Sequence, residues 1–212
     1  MKIVSKSVHH SNIVFVFDGS RFVVPENHEF TSFYRGEEAA GARFIDDPVL
    51  RTKVLDLPKK KIQITVEPQR LKVDDNSQED PERSVLIAEA EKVYRQFFLS
   101  CKLIGYGFNY DIYYQTDGVI RTSDLLEKFV GKEALWKSDL LDIGVQFTLA
   151  KDDGKRETYF VKITSPMEVA IHVNYHFPAR TSSLGAADMA AIEKMFGERC
   201  IATDELMKEL KF

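Results

Sequence analysis

Residues 80–115 read DPERSVLIAEAEKVYRQFFLSCKLIGYGFNYDIYYQ, and this stretch decides the fold class. Leu86, Ala90, Val93, Tyr94, Phe97 and Cys101 recur at steps of three or four, the spacing of one helical face. Glu89, Glu91, Lys92 and Arg95 fall mostly off that face. Asp80 suits an N-cap and Pro81 a first turn. The spacing therefore predicts a long central helix over about 81–103, stopped by Gly105. After Gly105 the period drops to two. Tyr106, Phe108, Tyr110, Ile112 and Tyr114 point one way, and Gly107, Asn109, Asp111, Tyr113 and Gln115 the other. A helix and a strand with apolar stripes, joined by one glycine, are expected to share a core.

Outward from this stretch, most of the pattern is strand and turn. Residues 12–24 read as a hairpin, with Asp18-Gly19-Ser20 as its turn and residues 22–24 as its return. Residues 60–66 and 71–73 alternate as a second strand pair. Residues 26–58 are harder to read. Helical turns are expected over 35–42 and a short strand over 49–57, and so long a stretch should hold a further element. Residues 123–130 suit a short helix, and 132–139 a further turn carrying Trp136. Strands are expected over 141–150, 157–164 and 168–177, then helices over 184–196, stopped by Gly197, and 203–210. Hairpin turns and clean alternation imply an α+β fold. It should be a mainly antiparallel sheet, with the long helix and the C-terminal helices packed on one side. No Pro-, Gly- or Ser-rich linker divides the chain. One domain over 1–212 is expected, or two halves, 1–118 and 119–212, sharing a sheet.

Composition narrows the function. A net charge of −4 and 29% charged residues describe an ordinary globular chain without a broad field for phosphate backbones. Nucleic-acid binding is not expected, and neither the run Lys59-Lys60-Lys61 nor Phe30, Phe33, Tyr34 and Arg35 forms a recognition motif. The lysines read as guards of a sheet edge. No apolar run is long enough to cross a membrane, and no signal peptide is read. Two cysteines, one on the helix face, fit reduced thiols in a cytoplasmic setting.

The chemical motifs are mostly absent. His172 and His176 share a strand face but stand about 13 Å apart along it, too far for both to bind one zinc ion unaided. His9 and His10 should point to opposite faces of an extended chain, and His28 is isolated. The carboxylates of 74–82 fail the calcium-loop pattern, with Glu79 where glycine is needed and Val85 where glutamate is needed. Gly105-Tyr106-Gly107 follows a helix and opens a strand, the reverse of a phosphate loop. No Gly-x-Ser-x-Gly elbow occurs, and a Cys200–His pair is only a chance combination. No metal or cofactor is expected. What remains is polar strand face: Asn109, Asp111 and Tyr113 on one strand, His172, Asn174 and His176 on another. The chain reads as a non-catalytic binding or interaction protein. Its expected partners are its own copy, as a homo-oligomer, or another protein, through these six residues. The alternative is an enzyme or small-ligand receptor lined by the same six.

Overall fold

The computed structural model describes residues 2–19, 22–129 and 144–210. Its elements in chain order are β1 (Ile3–Phe17), α1 (Asn27–Ser32), β2 (Arg43–Asp47), β3 (Thr52–Leu57), β4 (Ile62–Glu67), β5 (Arg70–Asp75) and α2 (Leu86–Val93). There follow β6 (Leu103–Thr116), α3 (Thr122–Phe129), β7 (Gly144–Ala150), β8 (Arg156–Ser165), β9 (Glu168–Pro178) and α4 (Ala186–Leu210). The described strands form one sheet of nine, in the order β2-β3-β4-β5-β1-β6-β9-β8-β7. Every pairing is antiparallel. The fold is α+β and mainly sheet. None of its described helices is long and apolar enough to cross a membrane.

The N-terminal hairpin does not form. β1 runs through 15 residues and pairs with β5 on one side and β6 on the other. Both edges of its backbone are thereby paired over Ser11–Val16. Phe22 is left to cover the end of the core, stacked 5.4 Å from both Phe17 and Phe98. Ser20 of the expected turn lies outside the described residues, as do 132–139 with Trp136 and the first residues of the strand expected over 141–150. Within 26–58 the helical turn is a short 3-10 segment, Gly36–Ala39, and the strand is β3. The elements missed there are α1 and β2.

The long central helix is also corrected. Residues 80–84 turn instead: Arg83 N donates to Asp80 O at 2.8 Å and Ser84 N to Pro81 O at 3.3 Å. Ser84 Oγ then accepts the Leu86 amide at 3.0 Å and donates to the Asp75 carboxylate, so the helix begins at Leu86. After Val93 it widens into a π-helical turn, Tyr94–Phe98. A π-turn holds one residue more than an α-turn and so advances the inner face by one position. Phe98 takes the buried slot, stacked on Phe17 and Phe22. Phe97 is half-buried and turned towards Phe30 and Phe33. Gly105 lies inside β6 and ends no helix.

The longest helix is α4, with 25 residues where two shorter helices were expected. Gly197 does not stop it because Met189, Ile192, Phe196, Cys200, Thr203 and Met207 form an unbroken buried stripe. α2 and α4 lie on one face of the sheet. Tyr94 Oη accepts the Leu184 amide at 3.0 Å, and Tyr110 donates to the Phe196 carbonyl at 2.6 Å. The alternation read for β6 holds: Phe108, Tyr110, Ile112 and Tyr114 are buried beneath these helices.

Lys60 guards no edge, because β4 has β3 and β5 as neighbours. Its ammonium instead pairs with Glu89, which is 7% exposed, and lies 2.9 Å from Glu38. Tyr34 Oη donates to the other Glu89 oxygen at 2.6 Å. Removing that donor leaves a nearly buried carboxylate short of a bond, at a cost of about 1 to 3 kcal/mol. Tyr34→Phe is expected to lower stability by that amount in urea denaturation, and an unchanged midpoint would show the bond to be dispensable.

Candidate functional site

Among the described residues, α2 and α4 cover one face of the sheet, and on the other face the side chains of Asp111 and His172 are 37% and 46% exposed. Asn109, Asp111 and Tyr113 alternate with the buried residues of β6, and His172, Asn174 and His176 with those of β9. β6 and β9 are neighbours in the sheet, with Asn109 opposite Asn174 and Asp111 opposite His172. Opposed side chains in such a pair stand about 5 Å apart. The six residues therefore share one surface.

Four of them join two lateral hydrogen-bonded chains that take in residues of β1 and β5. Asn109 Nδ2 donates to Asn12 Oδ1 at 2.6 Å, and Asn174 Nδ2 donates to Asn109 Oδ1. Asp111 Oδ1 lies 2.6 Å from His172 Nδ1, and its Oδ2 lies 3.1 Å from His10 Nδ1. His10 Nε2 is 2.9 Å from Asp74 Oδ1. The result is a ladder, Asp74–His10–Asp111–His172, crossing β5, β1, β6 and β9. Tyr113 stacks on His9 with ring centroids 4.1 Å apart. His176 stands outside the ladder. Its ring lies against Gly105, where an added Cβ would come within 3.2 Å of His176 Cε1, and it faces Arg156 across the strand.

A β-bulge brings His9 and His10 to this face together, where an extended chain would separate them. Val8 opposes Ile112 and His10 opposes Asp111, so His9 is the extra residue. The sequence carries a trace of it. Lys6 and Val8 point to the helix side on even numbers, whereas Ile13, Phe15 and Phe17 do so on odd ones. That change of parity requires one inserted residue between them. The sequence weighs His9, His10 and Asp74 only as metal ligands and does not single out Asn12; the structure brings all four to this site.

The ladder fixes the charge of His10 and of Asp111. Each nitrogen of His10 faces a carboxylate, and only a doubly protonated ring donates from both. The hydrogen bonds to Asp111 and then to Asp74 raise its pKa to about 9, against the opposing pull of burial. Asp111 is held far below the usual carboxylate range by the bonds from His10 and His172. Exposure falls along the ladder from His172, at 46%, to Asp74, at 5%. Asp74 Oδ2 accepts no hydrogen bond among the described residues, although Lys72 Nζ lies 3.1 Å from it at ion-pair distance. His172 Nδ1 donates to the Asp111 carboxylate, on a side chain that is 46% exposed. Burial lowers the pKa of His176, with Arg156 adding to the effect.

The other candidates separate in space. Cys200 lies on the helix side, 3.6 Å from Lys6 Nζ, and burial pushes its thiol up to about 11. The histidines of the ladder lie across the sheet from it, so no Cys–His pair forms with them. His28 is exposed on α1. Asp74 belongs to the ladder, and Asp75 binds the loop after it through the Ser77 amide and Ser84. Among the described residues no set of three or more His, Cys, Asp or Glu is arranged to hold a metal ion. Gly107 lies within β6 and leaves room for Tyr175 O, which a Cβ would approach to 2.6 Å.

Clefts of about 480, 250 and 120 Å³ are lined by residues away from the ladder. The site is a surface of side chains already bonded to one another, most exposed at His172 and least at Asp74. Comparison with known families gives no matching family model, and comparison with curated proteins gives no match.

Proposed function

We propose that this chain is a non-catalytic interaction protein whose recognition surface is the open sheet face around Asp111 and His172. The observation that carries the reading is the lateral bonding itself. Asn12, Asn109 and Asn174, and Asp74, His10, Asp111 and His172, are held in place by their neighbours across four strands. Side chains fixed before contact lose little conformational freedom on binding. The face also differs from the chain as a whole. The chain carries −4, whereas here the carboxylates of Asp74 and Asp111 stand beside His10 and Lys72, so a second copy meets no large excess of like charge. Tyr113 and the histidines add contact area and hydrogen-bonding groups.

In this reading the partner is a second copy of the chain or another protein, in a cytoplasmic setting that the two buried free thiols support. The nine described strands in one sheet support a single domain with two sheet-sharing halves. Sedimentation should show self-association at roughly micromolar concentration, within the range of reversible interfaces. Tyr113→Asp with His172→Asp should weaken it without changing the circular dichroism. A partner contact that survives both changes would remove the face from consideration.

One observation favours a second reading. The Asp111–His172 pair engages Nδ1 of a ring that is 46% exposed, an arrangement suited to proton transfer with a small ligand through Nε2. Hydrolysis of a p-nitrophenyl ester that is lost in His172→Asn and kept in His176→Asn would put this reading first.

A further inference from the structure

The chain presents an apolar knob at one place and an apolar hole at another. The knob is the turn between β2 and β3. Val49 and Leu50 are 88% and 65% exposed there, unusual values for large aliphatic side chains that are neighbours. The turn is built to hold them out: Asp47 Oδ1 accepts the amides of Val49 and Leu50 at 2.9 and 3.0 Å. Asp46 and Asp47 lie on one flank of the knob and Arg51 on the other.

The hole is the cleft of about 120 Å³ where the ends of β6 and β9 meet the start of α4. Phe177, Leu184 and Ile192, each at most 5% exposed, form its apolar floor, and Tyr106 stacks on Phe177 beside them. Its rim carries Lys155, Arg180 and Asp188. Arg180 is 76% exposed on its side chain, and its contact with Asp153 at 2.9 Å is a surface pair of little strength.

Size and charge match. A cleft of this volume has room for about one aliphatic side chain. The acids beside the knob answer Lys155 and Arg180, and Arg51 answers Asp188. The two cannot meet within one molecule. Six strand-to-strand steps separate β2 from β9, roughly 29 Å at the spacing of a sheet. We infer that the Val49–Leu50 turn of one copy seats in the Tyr106–Phe177 cleft of the next. The contact is head-to-tail, because different surfaces of the two copies meet. It leaves each copy a free knob or a free hole, and closure into a ring or growth into a chain follows from the angle between neighbours.

This contact is independent of the open face, and sedimentation of variants separates the two. Val49→Asp with Leu50→Asp removes the knob, and Ala191→Phe with Arg180→Glu blocks the hole. All four positions are exposed, so circular dichroism and the thermal midpoint should stay as in the wild type. With Tyr113→Asp and His172→Asp added so that the face contact of the proposed function is silenced, each variant should associate at least roughly tenfold more weakly than the chain carrying those two changes only, as expected for loss of a central contact. In that same background an equimolar mixture of the two keeps one intact knob and one intact hole, and should recover a 1:1 dimer and nothing larger. The inference is overturned if the wild type stays monomeric at roughly 100 µM, a weak-affinity limit. It is also overturned if the knob variant in that background associates as the chain carrying the two face changes only does, or if the mixture fails to restore a dimer. Loss of all association in the face variant alone would overturn it too, while supporting the open-face reading.

Discussion

Phe98→Ala is expected to lower the free energy of unfolding by about 3 to 5 kcal/mol, the cost of emptying a fully buried aromatic site. Phe98 has no exposed surface and stacks on Phe17 and Phe22 at 5.4 Å. Those rings come from β1 and from the segment after it, so the cavity would open where α2 meets the sheet. Phe97→Ala should cost less, about 1 to 2 kcal/mol, because that ring is only half-buried. The order of the two tests the π-turn directly. A regular α-helix through Tyr94–Phe98 would place Phe97 inward and reverse it. Urea denaturation of both variants gives the answer, and a larger loss for Phe97→Ala would refute the π-turn.

The second large effect belongs to His10. Replacing it with alanine leaves Asp74 nearly buried with Lys72 as its charged neighbour and removes one of the two partners of Asp111. Taking one hydrogen bond from a nearly buried carboxylate that keeps a charged neighbour costs about 1 to 3 kcal/mol. The loss should depend on pH. In the folded chain the imidazolium persists to about pH 9, against 6.5 for an ordinary histidine. Its contribution is therefore whole below about pH 6.5 and disappears as the pH rises through about 9. Asp111 acts in the opposite sense. Its folded-state pKa is depressed, so its contribution is present above the ordinary carboxylate value and is lost as the pH falls below it. Together they give the wild type a plateau between about pH 4 and pH 6.5, followed by an alkaline decline on the order of 2 kcal/mol. His10→Ala should flatten that decline. If wild type and variant lose stability in parallel from pH 6 to pH 10, the double hydrogen bond to His10 carries no weight.

The strand faces were legible in the sequence by itself. Two-residue alternation in β6 and β9 separates Asn109, Asp111 and Tyr113 from Phe108, Tyr110 and Ile112, and His172 and Asn174 from Ile171, Val173 and Tyr175. Such alternation is written in consecutive residues and needs no knowledge of the partner strand. The class of fold followed from the same local signals. Tertiary structure decided which strands are neighbours. β1 could pair with residues 22–24 or with β5 and β6, and the choice depends on competition among segments far apart in the chain. That choice sets Asp111 opposite His172 and carries His10 between two carboxylates. Two shifts of a single residue completed the outcome. The bulge at His9 turned both histidines to the open face, and the π-turn exchanged Phe97 for Phe98 in the core. Each shift leaves composition and element type unchanged, yet each moves every later side chain relative to its partners. Only packing against distant residues selects between the shifted and unshifted registers.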